Sequence, residues 1–208
     1  MNENAFFKVT DPKAKRIAGF DLPVGWWSRP WEYSWALKYN VLGGYVANMG
    51  AGYTYRPLTD ALAVHAGLVC SVDAKKSSVE TLRDHPLPEN AQFVLADMSK
   101  QILAIPPQSL DRIFCVSVIE EVPGRTDELL KEFARLISFS GLIVLTFDVQ
   151  YDDNKPLGQW QGAHIESVLA ACEKYDLTFR EDIHMDKEDA VFNEEFNLAC
   201  FHCVVQKK

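Results

Sequence analysis

The chain has 208 residues, 48% apolar and 24% charged, with a net charge of −8. That length suits one domain, or one domain with an appendage, and can bury a full core, and the composition excludes a disordered chain. The acidic balance counts against a nucleic-acid partner, and no apolar run nears the roughly 18 residues that span a bilayer.

The start of the chain, Met1-Asn2-Glu3-Asn4, lacks the basic and apolar regions of a signal peptide, so a soluble cytoplasmic protein is expected. Five cysteines, at 70, 115, 172, 200 and 203, fall in expected strands and one helix and read as buried thiols. Cys200-Phe201-His202-Cys203 invites a metal or redox reading. No second ligand pair accompanies it, and the stretch reads better as strand, so no metal is expected.

Residues 1–20 are mixed polar and read as poorly ordered. Four of the five tryptophans crowd into residues 22–39, and the spacing of Trp31, Trp35 and Tyr39 suggests a helix from Tyr33. Strands and helices then alternate. Tyr45–Met49 reads as a strand, followed by a helix from near Tyr55 whose face carries Leu58, Ala61, Leu62 and His65. Leu68–Val72 and Gln92–Ala96 are strands, with a short helix at Ser77–Arg83 between them. Arg112–Ser117 is a fourth strand, Asp127–Ile137 an amphipathic helix and Gly141–Phe147 a fifth strand. A helix over His164–Tyr175 precedes two strands, Leu177–Ile183 and Leu198–Val205, which have no helix between them and so must pair antiparallel or lie apart. The expected fold is α/β and doubly wound. It has a mainly parallel seven-stranded sheet with one reversed strand near the C-terminus.

Three features fall at successive strand ends. Gly50 and Gly52 follow the first strand, Asp73 ends the second, and Asp97 ends the third. Glycines let backbone approach a ligand. A carboxylate about 20 residues after such a turn can accept ribose hydroxyls, and Asp73 follows Gly52 by 21. This points to a nucleoside-containing ligand. A dinucleotide is disfavoured, because Tyr55 stands where the third small residue belongs. A P-loop is excluded, because no Gly-Lys-Ser/Thr follows the glycines.

The order Asn48-Met49-Gly50-Ala51-Gly52, Val72-Asp73, Ala96-Asp97-Met98, Cys115 to Val122 and Leu136 to Leu145 resembles the class I S-adenosylmethionine-dependent methyltransferases, over about three quarters of the chain. The resemblance implies S-adenosyl-L-methionine as cofactor. It implies Gly50, Ala51 and Gly52 against the methionine part, Asp73 with Ala74 at the ribose, Asp97 and Met98 at the adenine, and Ser117 near the sulfonium. Asn48 stands where that family usually has an acid, and Glu121 where many small-molecule members have a histidine. Residues 41–208 would form the methyltransferase domain and residues 1–40 an aromatic extension or lid. Arg29 or Tyr33 of that extension could meet the methionine carboxylate, although packing alone also explains its indoles. The acceptor is expected to be a small molecule, such as a sugar, a lipid-linked compound or a secondary metabolite. Glu120 and Glu121 are the nearest candidates for a base, with Asp148 and Tyr151 next. Glu120 and Glu121 read equally well as solvated loop acids. A non-catalytic binding module of the same fold is the alternative. His164 and His184 read as surface residues.

Overall fold

The computed structural model describes residues 2–52, 57–75, 85–155 and 162–208. The chain opens with β1 (Ala5–Phe6), the hairpin strands β2 (Arg16–Ile17) and β3 (Phe20–Asp21), and helix α1 (Arg29–Ala36), which tightens into a 3-10 turn at Leu37–Tyr39. Alternation follows with β4 (Tyr45–Met49), α2 (Pro57–Ala63), β5 (Leu68–Asp73), β6 (Ala91–Leu95) and β7 (Leu110–Val116). A 3-10 turn (Ile119–Glu121) leads to α3 (Thr126–Leu136), β8 (Ile137–Gln150) and α4 (Ile165–Lys174). The chain ends with β9 (Leu177–Phe179), β10 (Phe192–Asn193) and β11 (Leu198–Lys207).

The main sheet runs β1-β11-β8-β7-β4-β5-β6, with β9 and β10 also paired to β11. Strands β4 to β8 are mutually parallel, and β11 is reversed against β8. The alternation thus produces the expected doubly wound sheet. Strand β9 pairs antiparallel to β11, as two strands without a crossover helix must.

Four expectations need correction. The first residues are ordered: Ala5 and Phe6 pair with His202 and Phe201, and Phe7 is fully buried. Their polar neighbours hid a short apolar run that covers the sheet edge. Helix α1 begins at Arg29 rather than Tyr33, because Pro30 suits the first turn. Strand β8 begins at Ile137, directly after α3, rather than at Gly141. A Cβ on Gly141 would lie 2.8 Å from the Leu110 carbonyl, so glycine permits the close crossing where the β7–β8 register shifts. Strand β9 stops at Phe179 instead of reaching Ile183. The helix over Ser77–Arg83 and the helix start near Tyr55 lie outside the described residues.

Alternating side chains divide the sheet into two faces. Ala47, Met49, Val72, Cys115, Leu145, Phe147 and Phe201 pack beneath α3 and α4. Val46, Val69, Phe114, Val144 and Val204 pack beneath α1 and α2. On this second face the strands turn polar toward their carboxyl ends: Val46 gives way to Asn48, Val69 to Ser71 and Asp73, and Val144 to Thr146 and Asp148. Among the described residues no helix is long and apolar enough to cross a membrane.

Candidate active site

The glycine turn leaves β4 at the carboxyl edge of the sheet. Gly50 and Gly52 both have positive φ, 70° and 74°, which glycine adopts without strain. The amides of Gly50 and Ala51 donate to the Val72 carbonyl, at 2.9 and 3.0 Å, so the turn is folded back onto β5. A Cβ on Gly50 would meet Val118 Cγ2 at 2.4 Å. The turn therefore lies directly against the segment that follows β7.

Asp73 receives the Gly52 amide on Oδ2 at 3.0 Å and the Lys75 amide on Oδ1 at 2.8 Å. Each oxygen keeps a further acceptor site, so the carboxylate can still take two hydroxyls. Asp97 accepts from the Ser99 hydroxyl at 2.6 Å and amide at 3.0 Å, and pairs with Arg125 and Lys100. The Ser99 hydroxyl foremost, helped by those cations, holds its carboxyl down at about 2. Met98 is buried in the core beneath α3, and Ala74 is exposed beside Asp73. Asn48 turns its side chain toward α2, where its Nδ2 donates to Thr59 Oγ1 at 2.9 Å, with Ser71 Oγ 3.3 Å beyond. An amide at this position thus ties β4 to α2.

The N-terminal helix is bolted to the same edge. Glu32 is fully buried and accepts from Ser28 Oγ at 2.9 Å and Arg29 Nη1 at 2.5 Å on one oxygen. Its other oxygen accepts from Ser117 Oγ at 2.5 Å and from Thr146 Oγ1. Ser117 sits at φ 47°, a strained left-handed value for a residue other than glycine. Its amide is held by the Thr146 carbonyl at 2.9 Å. Burial opposes the charge on Glu32, yet Arg29 and these hydroxyls keep its carboxyl below the usual range. Tyr33 is buried beside Arg29 and meets Trp26 edge to face, with ring centres 6.4 Å apart.

Glu120 and Glu121, alike in the sequence, separate in the 3-10 turn. Glu121 is exposed and Glu120 is 6% exposed. Burial first, and the nearby Asp148 second, push the Glu120 carboxyl well above its ordinary value. Burial, then Glu32, push Asp148 up to about 7. Two open depressions of about 530 and 400 Å³ lie elsewhere, one along α4 and β9, the other between α1, α2 and the β2–β3 hairpin, and neither touches these acids.

A family model described as a methyltransferase domain matches residues 47–145. That span runs from the strand before the glycine turn to the centre of β8. Residues 47–145 thus match a methyltransferase domain, and the sheet around them has the class I methyltransferase fold. Similar solved structures agree with its fold. A S-adenosylmethionine-dependent methyltransferase from Aquifex aeolicus is 15% identical, with a TM-score of 0.60, over 84% of this chain and 88% of that one. A geranyl diphosphate C-methyltransferase from Streptomyces coelicolor, bound to Mg2+, geranyl diphosphate and S-adenosyl-L-homocysteine, is 9% identical, with a TM-score of 0.63, over 85% and 77%. The [4+2]-cyclase SpnF is 11% identical, with a TM-score of 0.67, over 100% and 87%. Comparison with curated protein sequences returned no match.

The cofactor of such a methyltransferase domain is S-adenosyl-L-methionine. The residues present fit it: an open glycine turn, a carboxylate with spare acceptor capacity and a second carboxylate one strand further out. The structure brings Gly50, Ala51, Gly52, Asp73, Ser117, Glu120 and Arg29 to one edge of the domain. It leaves Asn48 facing α2 and Glu121 facing solvent. Sequence reasoning overlooked Glu32, the hub that joins α1 to β7 and β8. Its signal was the i,i+3 spacing from Arg29, submerged among the aromatics.

Proposed function

We propose that this protein transfers the methyl group of S-adenosyl-L-methionine to a small-molecule acceptor. One observation carries the reading: the Gly50–Gly52 turn, closed by the Asp73 carboxylate through the Gly52 amide, at the carboxyl edge of a methyltransferase domain. Gly50, Ala51 and Gly52 would lie along the methionine part, and Asp73 with Ala74 would take the ribose hydroxyls. Asp97 and Met98 would border the adenine, and Ser117 the sulfonium. Arg29, seated by Glu32 beside Tyr33, would face the methionine carboxylate. Asn48 serves the set through α2 rather than by touching the ligand. The cofactor supplies an activated methyl, so these residues bind, orient and exclude water, which is most of what the reaction asks of a protein. Glu120 is the better placed of the two candidate acids, because it is buried at the edge where Glu121 is not.

The small-molecule acceptor is supported by the likeness to a geranyl diphosphate methyltransferase. Residues 1–40 act as a fixed cover in this reading, contributing α1 to the edge. Titration calorimetry with S-adenosylmethionine and S-adenosylhomocysteine tests the proposal. Micromolar binding is expected, weakened about tenfold or more in Asp73→Ala, since hydrogen bonds to a charged group are lost. Absence of binding at millimolar cofactor would sink it. A non-catalytic module remains the second reading, because Asn48 brings no charge to the edge. Turnover in a screen of amines, alcohols and sugars with the methyl-labelled cofactor dismisses it.

A further inference from the structure

Three carboxylates, Glu32, Glu120 and Asp148, share the carboxyl edge with one guanidinium, Arg29. Arg29 and three hydroxyls already serve Glu32. The other two are less well served: Asp148 has the Cys200 thiol and Glu120 its own backbone amide. Glu120 is 6% exposed, and its Oε2 has no donor among the described residues; the buried Asp148 Oδ1 has none among them either. A buried carboxyl oxygen left without a donor is costly, and carboxylates crowded at one dry edge resist being charged together. A ligand that brings positive charge and several N–H donors relieves both costs together. An alkylammonium does this with three donors. A neutral hydroxyl brings one donor and no charge.

Position says what that ligand is for. Glu120 lies two residues past Val118, whose side chain stands against Gly50 of the glycine turn. Asp148 lies two residues past Thr146 on the same face of β8, opposite Cys200 of β11. The orphaned oxygens thus lie past the neighbouring tips of β7 and β8, across β4 from Asp73 at the end of β5. We infer that Glu120 and Asp148 form the subsite for the amine of the methyl acceptor, so that the acceptor class is a small alkylamine. It binds as the ammonium and would give one proton to a carboxylate of the pair, which frees the nitrogen lone pair to take the methyl while the electrons of the C–S bond stay with sulfur. The inference rests on the methyl-transfer reading for the word acceptor, but the ammonium subsite is testable without it.

The test is calorimetric titration of the full chain with benzylamine and, at the same pH, with benzyl alcohol. Benzylamine is expected to bind about tenfold or more tightly than the alcohol, because its hydrogen bonds are charge-assisted. Glu120→Gln and Asp148→Asn should each shrink that preference, and Glu166→Gln, on the exposed face of α4, should preserve it. Equal affinity of the wild-type chain for the two probes overturns the inference and needs no variant to fold. So does a preference that survives in both variants. Benzylamine binding that saturating S-adenosylhomocysteine abolishes also overturns it, since the site would then belong to the cofactor's own amino group. Failure of S-adenosylhomocysteine to bind at all defeats the methyl-transfer reading instead, and the amine titration then stands or falls on its own numbers.

Discussion

Beneath α3 and α4, the strands stay apolar to their last residues: Met49, Val72, Cys115 and Phe147 are all buried core. Beneath α1 and α2, the same strands end in Asn48, Asp73 and Asp148, with Ser117 just past β7. Each face also carries one buried Glu–Arg pair at i,i+3 spacing. Under α3, Glu132 accepts the Ile102 amide at 2.7 Å and two bonds from Arg135, so it braces the loop that enters β7. Under α1, Glu32 accepts from the tips of β7 and β8. One charge pair fastens a loop, and the other fastens a helix across the edge where the ligand belongs. The first face is specified by volume, the second by hydrogen bonding. Their responses to substitution should differ accordingly.

The largest effect is expected from Phe133→Ala, which empties a fully buried ring site on the apolar face. It should cost about 3–5 kcal/mol in urea unfolding and leave S-adenosylhomocysteine affinity unchanged in the folded fraction. A matching loss of affinity would break the division between faces. Glu32→Ala comes next, at about 3 kcal/mol, because it strands the Arg29 guanidinium and three hydroxyls. It should also weaken cofactor binding, whereas Glu132→Ala, at about 2 kcal/mol, should not. Thr59→Val removes the acceptor for the buried Asn48 amide and should cost about 1.5 kcal/mol.

The smallest effect is a pH dependence. Burial foremost pushes the His202 imidazole down to about 4, where it lies among Phe7 and Trp35 with Nδ1 3.0 Å from the Glu3 carbonyl. The unfolded histidine, near 6.5, binds protons that the folded one does not. The stabilisation is therefore complete above pH 6.5 and is lost as the pH falls toward 4. About 1 kcal/mol should go between pH 6.5 and 5.5. His202→Phe should flatten that slope in thermal melts, and an unchanged slope would place its origin elsewhere.

Strand-helix alternation made the doubly wound sheet with its reversed strand legible in the sequence, and the spacing from Gly52 to Asp73 pointed to a nucleoside-containing cofactor. Those features rest on local periodicity, which a single sequence displays. Contacts between residues far apart in the chain were not legible. Ala5 and Phe6 look unremarkable beside their polar neighbours, because their partner strand lies some two hundred residues away. Glu120 and Glu121 could not be told apart, since only the direction of a 3-10 turn buries one and exposes the other. Glu32 reads as an ordinary helix surface residue until β7 and β8 are seen to present Ser117 and Thr146 to it.

The pairing of β1 with β11 has a consequence for how the molecule comes together. That seam joins segments nearly two hundred residues apart, so it can form only after β11 has taken its place against β8. The parallel strands β4 to β8 already share shorter connections and can assemble without it. The seam is then the last to zip and the first to part, and amide exchange at Phe7, whose N–H reaches the Cys200 carbonyl at 3.1 Å, should outpace exchange in β4 and β7.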